Sequence, residues 1–523
     1  MTWRLTAFLF VASLTAFASP AAAATFRWAH ESDIASLDPY TRNETLQLSF
    51  LGNVYEPLIR RGRALELEPA LATGWRRVTP LVWRFELRPG VRFQDGAPFA
   101  AADVVFSYRR ATAAGSKIAL ALAAIRDVRA VDAHTVDIIT AMPDPTLPEE
   151  IVRWDIMSAA WCRIHGVEQV AAADDYADNH ADGTGPFAVE SRVPGEQTVL
   201  VANPDWWGKP AGNVDRAVFR PIADNEARLA ALTAGTVDMI ASVPSDGLGT
   251  LAQTPGVHIV HVAGTRTILL GFRFRHVVNA RGGPQAATPF TDRRVRTAFA
   301  QAIDENAIAT TVMHGLATPA GLIVGPGVRG FDPALNQRPT YDPAAARRLL
   351  AAAGYPAGFA LTMDCPNDRY VNDAAICVAV AADLAKIGVH VTLLAQPRSQ
   401  YFTKLLDPGR GADFYLLGWR PANDDALDAL INLAATRNDR LHTGAFNVGG
   451  YSNPALDSLI ARAQGESLGR ARAMLLRAAL ATIKDDVVYI PLHQSDVVWA
   501  VRDNVEAVLR GDSSFALNDV RMK

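Results

Sequence analysis

Two strings in this 523-residue chain are spelled like catalytic motifs. Gly465, Glu466, Ser467, Leu468 and Gly469 fit G-x-S-x-G, the pattern that presents a serine oxygen on a sharp turn from a strand into a helix. Helical periodicity runs on both sides, over 455–463 and 470–483, so Ser467 is expected in a helix-to-helix loop. An exported serine hydrolase using Ser467 is thus the most distant reading. Gly325 to Gly330 (GPGVRG) fits G-x-G-x-x-G, which binds a pyrophosphate only where a helix N-terminus follows. Phe331, Asp332 and Pro333 follow instead, and a proline-bearing loop is expected. His258 and His261 lie three apart on an alternating apolar segment, on opposite faces of a strand, so they cannot share a metal ion. No carboxylate pair stands at acid–base spacing. No catalytic residue, metal or cofactor is expected.

The elements around these strings are well punctuated. Asp342, Pro343, then Ala346, Leu349, Leu350 and Ala353, closing at Gly354, supply an N-cap, a first-turn proline and a terminating glycine in order. The stretch 373–387 repeats the form, with Val378, Ala381 and Leu384 expected inward and Gly388 as the stop, before Val389, Val391 and Leu393 alternate as a strand. An earlier copy runs from Asp224 through Leu229 and Leu232 to Gly235, then a strand at 237–243. Such alternation argues for α/β layers. Trp83, Phe85 and Leu87, then Arg88-Pro89-Gly90, then Val91 and Phe93, spell a hairpin, and a helix is expected from Asp103 through Val104, Val105 and Tyr108.

Composition narrows the class. With 49% apolar and 20% charged residues the chain is globular rather than disordered, and its length suggests about three domain-sized units. Lys plus Arg number 51 against 54 for Asp plus Glu, with no long run of either sign, which argues against nucleic acid as a partner. Arg4 followed by an apolar run over 5–18 and the Ala21 to Ala24 string reads as a Sec signal peptide over 1–24. No Cys follows the apolar run, so no lipoprotein anchor is expected, and no later segment is apolar enough to span a membrane. In an oxidising compartment Cys365 and Cys377 are either a disulfide pinning 367–372 or two buried thiols, and both readings stay open. Cys162, beside Trp161, reads as a small buried hydrophobe.

The order of strings along the chain then resembles one family. Pro69 to Trp75 (PALATGW), Trp83 to Phe106 (WRFELRPGVRFQDGAPFAAADVVF), Gly183 to Phe187 (GTGPF) and Asn203 to Trp207 (NPDWW) are similar to the first half of the family 5 extracellular solute-binding proteins of ABC importers. Asp292 to Asp304 (DRRVRTAFAQAID), Tyr341 to Tyr355 (YDPAAARRLLAAAGY) and Tyr451 to Asp457 (YSNPALD) are similar to its second half.

The resemblance implies an α/β, bilobed periplasmic-binding-protein type II fold, a Venus flytrap with an extra subdomain in the first lobe. Lobe I is expected at 25–60, 181–265 and 492–523, the subdomain at 61–180 and lobe II at 266–491, with crossings near 265–271 and 491–498. It implies a monomeric periplasmic protein that captures a peptide or peptide-like solute and delivers it to membrane permease subunits. Nickel or metal-chelate binding and oligosaccharide binding remain alternatives on the same fold.

In the family's dipeptide binders an Arg ahead of a second-lobe helix grips the ligand carboxylate, and Cys365 to Tyr370 (CPNDRY) is similar to that element, placing Arg369 and Tyr370 at the ligand. An Asp three residues after a Gly-Trp strand end grips the amine there. Here the Gly-Trp is Gly418-Trp419 and the third residue on is Ala422, leaving Asp424 or Asp425 as substitutes and Trp419 as an aromatic wall. Tyr40, Arg42 and Asn43, in the loop after the first strand, are candidate contacts from lobe I.

Overall fold

The computed structural model describes residues 24–170, 175–241, 243–244, 247–274, 288–407, 413–467 and 469–523. Residues 1–23 of the expected signal peptide lie outside them. Among the described residues no helix is long and apolar enough to cross a membrane.

Eleven strands form one continuous sheet: β1 (Thr25–His30), β2 (Phe187–Val193), β3 (Gln197–Ala202), β4 (Arg216–Pro221), β5 (Met239–Ala241), β6 (Val257–Phe272), β7 (Ala317–Pro319), β8 (Phe359–Pro366), β9 (Val389–Gln396), β10 (Phe414–Trp419) and β11 (Tyr489–Arg502). Their order is β9-β8-β10-β6-β11-β5-β1-β4-β3-β2, with β7 added alongside β11. β1 runs parallel to β4 and β5, and β8 parallel to β9 and β10, so each half of the sheet is a small α/β unit.

Two antiparallel strands join the halves. β6 has 16 residues and β11 has 14, so each is about 50 Å long, enough to run through both lobes. The core they serve changes along their length. Val257 and Ala500 pack with Ala29, Leu232 and Ile240, whereas Ile268, Leu270 and Leu492 pack with Phe290, Phe299 and Phe414. Leu269, pointing the other way, meets Leu417 and Tyr489. Between the two regimes the pairing slips, from Ala263 opposite Asp496 to Thr267 opposite Gln494. Gly264 lies in this bulge, and a Cβ there would stand 2.5 Å from the Ser495 carbonyl oxygen, so only glycine lets the crossing strands approach this closely.

The extra subdomain is built on a four-stranded sheet in the order Ala72–Thr79, Val82–Leu87, Thr135–Thr140, Ile125–Asp132, backed by the helix Ala101–Ala111. Phe85, Leu87, Val104 and Ile138 join the same core as Trp28, Phe50 and Leu58 of lobe I. The expected hairpin is corrected here: Val82–Leu87 pairs with Ala72–Thr79 and Thr135–Thr140. Val91 and Phe93 instead fold onto their own neighbours, where Phe99 N–H donates to Val91 O and Phe93 N–H to Ala97 O. The turn at Gly90 therefore breaks the strand instead of reversing it.

Several family strings are joints of this scaffold. In GTGPF a Cβ on Gly183 would stand 1.9 Å from Val54 O, and Gly185 N–H donates to that oxygen. In NPDWW the indoles of Trp206 and Trp207 donate to the buried Glu56 carboxylate at 3.2 and 2.8 Å, and Arg88 lies 3.8 Å over the Trp207 ring. The helix Pro343–Ala352 begins where Asp342 caps Ala345 N–H, and Gly354 follows at φ +95°. The helix Asp373–Ala385 forms as expected but is rotated: Ile376, Cys377, Val380 and Leu384 are buried while Val378 is 59% exposed. A disulfide from Cys377 to Cys365, at the end of β8, fixes that face against the sheet. Cys162 is a buried free thiol.

Candidate functional site

A cleft of about 970 Å³ lies between the lobes, where β6 and β11 cross. Lobe I lines it through His30, Glu31, Thr45 and Ser49, the crossing strands through Arg266 and Asp496, and lobe II through Arg369, Asn372 and Arg420. A second cavity of about 510 Å³ opens into lobe I and shares Thr45, Ser49 and Phe515 with the cleft. Glu56, Arg153 and Asp155 line it, and burial pushes the Asp155 carboxyl up to about 7.

Arg369 reaches this cleft. Asp373 at the start of the following helix accepts the backbone N–H groups of Arg369 and Tyr370 at 2.9 and 3.0 Å, which sets the loop. The Arg369 guanidinium stands 5.2 Å from the Tyr370 ring centroid, and its acidic neighbours are engaged elsewhere: Asp364 with Lys404 at 2.5 Å, Asp368 with the backbone N–H of Arg398. Tyr370 supports the site from behind: its hydroxyl donates to Gly418 O at 3.3 Å, and burial raises its pKa.

Other expected contacts are corrected. Tyr40 is fully buried, with its hydroxyl donating to Asp155 O at 2.7 Å, beside the buried ion pair of Asp38 with Arg110. Arg42 and Asn43 are exposed outside the cleft lining, and it is Glu44, Thr45, Leu46 and Ser49 of this segment that face the cleft. Trp419 turns into lobe II, donating its indole N–H to Asp428 at 2.9 Å and packing 4.9 Å from Phe446. Asp425 caps Leu427 N–H and is held in a bidentate pair by Arg472 at 2.7 and 3.0 Å, both groups buried. Asp424, at φ +51° and buried, lies 3.8 Å from Arg61, which in turn pairs with Glu149 at 2.6 Å. Neither carboxylate lines the cleft: Asp425 is taken by Arg472, and Asp424 is buried with Arg420 and Arg61 as its attracting charges.

Three further arginines line the cleft, among them Arg228, which donates to Ile222 O and Asn225 Oδ1 at 2.7 Å. Arg266 projects from the β6 bulge, its guanidinium 5.9 Å from the Tyr370 ring centroid. Arg420 follows Trp419 and makes a long contact, 3.4 Å, to Thr45 Oγ1 across the cleft. Burial, reinforced by the charge of Arg369, lowers the Arg266 pKa, and burial with Arg153 does the same for Arg420. A visible signal for Arg266 was a lone charge inside the apolar run 262–272.

The Ser467 loop runs from the helix Pro454–Gly465 to the helix Arg470–Asp485, and Ser467 accepts from Arg77 at 2.8 Å. His258 and His261 face separate carboxylates, Asp503 and Asp496.

With this geometry in place, the comparisons fix the family. Bacterial extracellular solute-binding proteins, family 5, match residues 66–440. The chain belongs to this family. As a family 5 solute-binding protein it is 26% identical over 499 residues to the glutathione-binding protein GsiB of Salmonella typhimurium, covering 94% of this chain and 93% of that one. Its fold superposes on HbpA2 from Haemophilus parasuis with a TM-score of 0.83 at 23% identity, covering 96% and 100% of the two chains. It superposes on the unliganded open form of the periplasmic murein tripeptide binding protein MppA with a TM-score of 0.82 at 23% identity, covering 96% and 98%.

Proposed function

We propose that the chain is the periplasmic substrate-binding component of an ABC importer, taking a peptide or peptide-like solute between its lobes and presenting it to membrane permease subunits. The observation that carries this reading is the interlobe cleft itself, with Arg369 from lobe II facing Thr45 and Ser49 of lobe I across strands that both lobes share. A solute touching both walls stabilises the closed arrangement by the contacts that the open one lacks. Arg369 is the carboxylate-binding residue in this reading. The likeness to GsiB, whose name gives glutathione as its ligand, supports a peptide-like solute. Cleavage of a leader at 1–24, absence of a lipid anchor, a monomeric state and lobe boundaries at 25–60, 181–265 and 492–523, with 61–180 as the subdomain and 266–491 as lobe II, belong to the same proposal.

Native mass spectrometry of the protein purified from its own periplasm, followed by denaturing release, tests it. A retained peptide or amide-linked solute is expected. A retained metal chelate or neutral sugar would overturn the peptide reading and leave the fold untouched.

A further inference from the structure

Four arginines line the cleft; Arg228 is held by Ile222 O and Asn225 Oδ1, and the other three, Arg266, Arg369 and Arg420, come from three different segments. Among the described residues none of the three has a carboxylate within ion-pair distance; their nearest partners are the Tyr370 ring for the first two and Thr45 Oγ1 for the third. Other buried arginines are engaged, some by carboxylates, Arg110 by Asp38, Arg472 by Asp425 and Arg61 by Glu149, and others by carbonyl and amide oxygens, Arg228 by Ile222 O and Asn225 Oδ1 and Arg296 by the carbonyls of Phe290 and Val487. The cleft trio differs in having, among the described residues, a single side-chain hydrogen bond between them, the 3.4 Å contact of Arg420 to Thr45 Oγ1. Of the acidic side chains lining the cleft, Asp496 is engaged by His261, and Glu31 and Glu44 are exposed on lobe I.

Closing the lobes takes these cations further out of water, and an uncompensated buried charge is strongly unfavourable. A ligand must bring the missing negative charge. One carboxylate has two oxygens and suits one bidentate arginine, so a single C-terminal carboxylate satisfies Arg369 and leaves Arg266 without an anionic partner and Arg420 with only Asp424 and Asp512, both beyond ion-pair distance. Resting on the solute-binding reading above, we propose that this cleft selects solutes with at least two anionic groups, an acidic or dicarboxylic peptide, with Arg266 and Arg420 as the specificity-determining residues. A monoanionic dipeptide with a free amine is disfavoured twice. It leaves arginines unpaired, and it finds no carboxylate for its amine from this loop, where residue 422 is alanine, Asp425 is held by Arg472 and Asp424 lies buried outside the cleft lining.

The test is calorimetric titration of the ligand-stripped full chain with four probes: Glu-Glu, Ala-Ala, Lys-Lys and glutarate. Glu-Glu is expected to bind at least about tenfold more tightly than Ala-Ala, with Lys-Lys silent, on the scale of one charged hydrogen-bonded pair. Arg266→Gln and Arg420→Gln are each expected to weaken Glu-Glu about tenfold or more while leaving the unliganded melting temperature equal or higher, because mutual repulsion is relieved. A merely structural role would lower that temperature instead. Ala-Ala or Lys-Lys matching Glu-Glu would overturn the dianion proposal and keep the peptide reading. Glutarate binding without any peptide would keep the dianion proposal and overturn the peptide reading. Silence toward both Glu-Glu and glutarate overturns the dianion proposal.

Discussion

At the scale of single residues, the chemistry of this protein is decided by which charges are already spent. Arg369 sits on a loop pinned by Asp373 and keeps its guanidinium in the cleft, free of both neighbouring aspartates. Arg369→Ala is expected to cost about 2 to 5 kcal/mol of binding for the retained solute, the usual loss when one partner of a buried charge pair is removed. Calorimetry on the purified variant reads this directly, and an unchanged dissociation constant would remove Arg369 from the site. Asp155 tests the opposite situation, a carboxyl that keeps its proton. Burial, with the Glu56 charge adding to it, lifts it to about 7, so between about pH 4 and pH 7 the folded chain holds a proton that the unfolded chain has lost. Stability therefore falls as pH rises through that window, by at most about 1.4 kcal/mol per pH unit for this group. Asp155→Asn is expected to flatten that slope in urea unfolding at pH 5, 6, 7 and 8; an unaltered slope would show that Asp155 ionises normally.

At the scale of elements, ion pairs lock segments that are distant in sequence. Arg472 on the helix Arg470–Asp485 grips Asp425, 47 residues earlier, and fixes the turn after β10. Arg472→Ala leaves the fully buried Asp425 carboxylate with only the 4.0 Å approach of Arg329 and is expected to cost about 3 to 5 kcal/mol in urea unfolding; a loss below about 1 kcal/mol would mean that Arg329 or water takes over the charge. This pair also shows where reading the sequence stops. The α/β layers, the helix from Pro343 with its Asp342 cap and the helix-to-helix setting of Ser467 were legible, because capping and periodicity are local signals. The fates of Asp424, Asp425 and Tyr40 were not, because each is decided by an arginine or a backbone carbonyl far along the chain. Val378 was misassigned for a related reason: the disulfide at Cys377 chooses which stripe of an almost wholly apolar helix faces the sheet. Several strings that carry the family resemblance proved to be joints, Gly183 against Val54 and Trp207 on Glu56, whereas the cleft is lined by Arg369, in the string similar to the family's carboxylate-binding element, and by Arg420, directly after Trp419.

At the scale of the whole molecule, function requires that two separately packed lobes move on a narrow connection. Each lobe has its own core, and β6 and β11 carry the sheet from one to the other through the slip at Ala263–Thr267. Such a hinge absorbs rotation in a few residues while the cores stay rigid. Adding the retained solute is expected to lower the radius of gyration in small-angle scattering, and at a hundredfold excess over Kd to stabilise the chain by about 2.7 kcal/mol. Gly264 gives the sharper test, because its neighbour in the bulge is the Ser495 carbonyl. In Gly264→Ala the new methyl forces the crossing strands apart locally, while the cores at Val257 and at Ile268 lie outside the contact. Far-ultraviolet circular dichroism is expected to be unchanged, while solute binding weakens and the scattering change on binding shrinks. A variant that closes and binds as the parent does would place the moving joint elsewhere along β6 and β11.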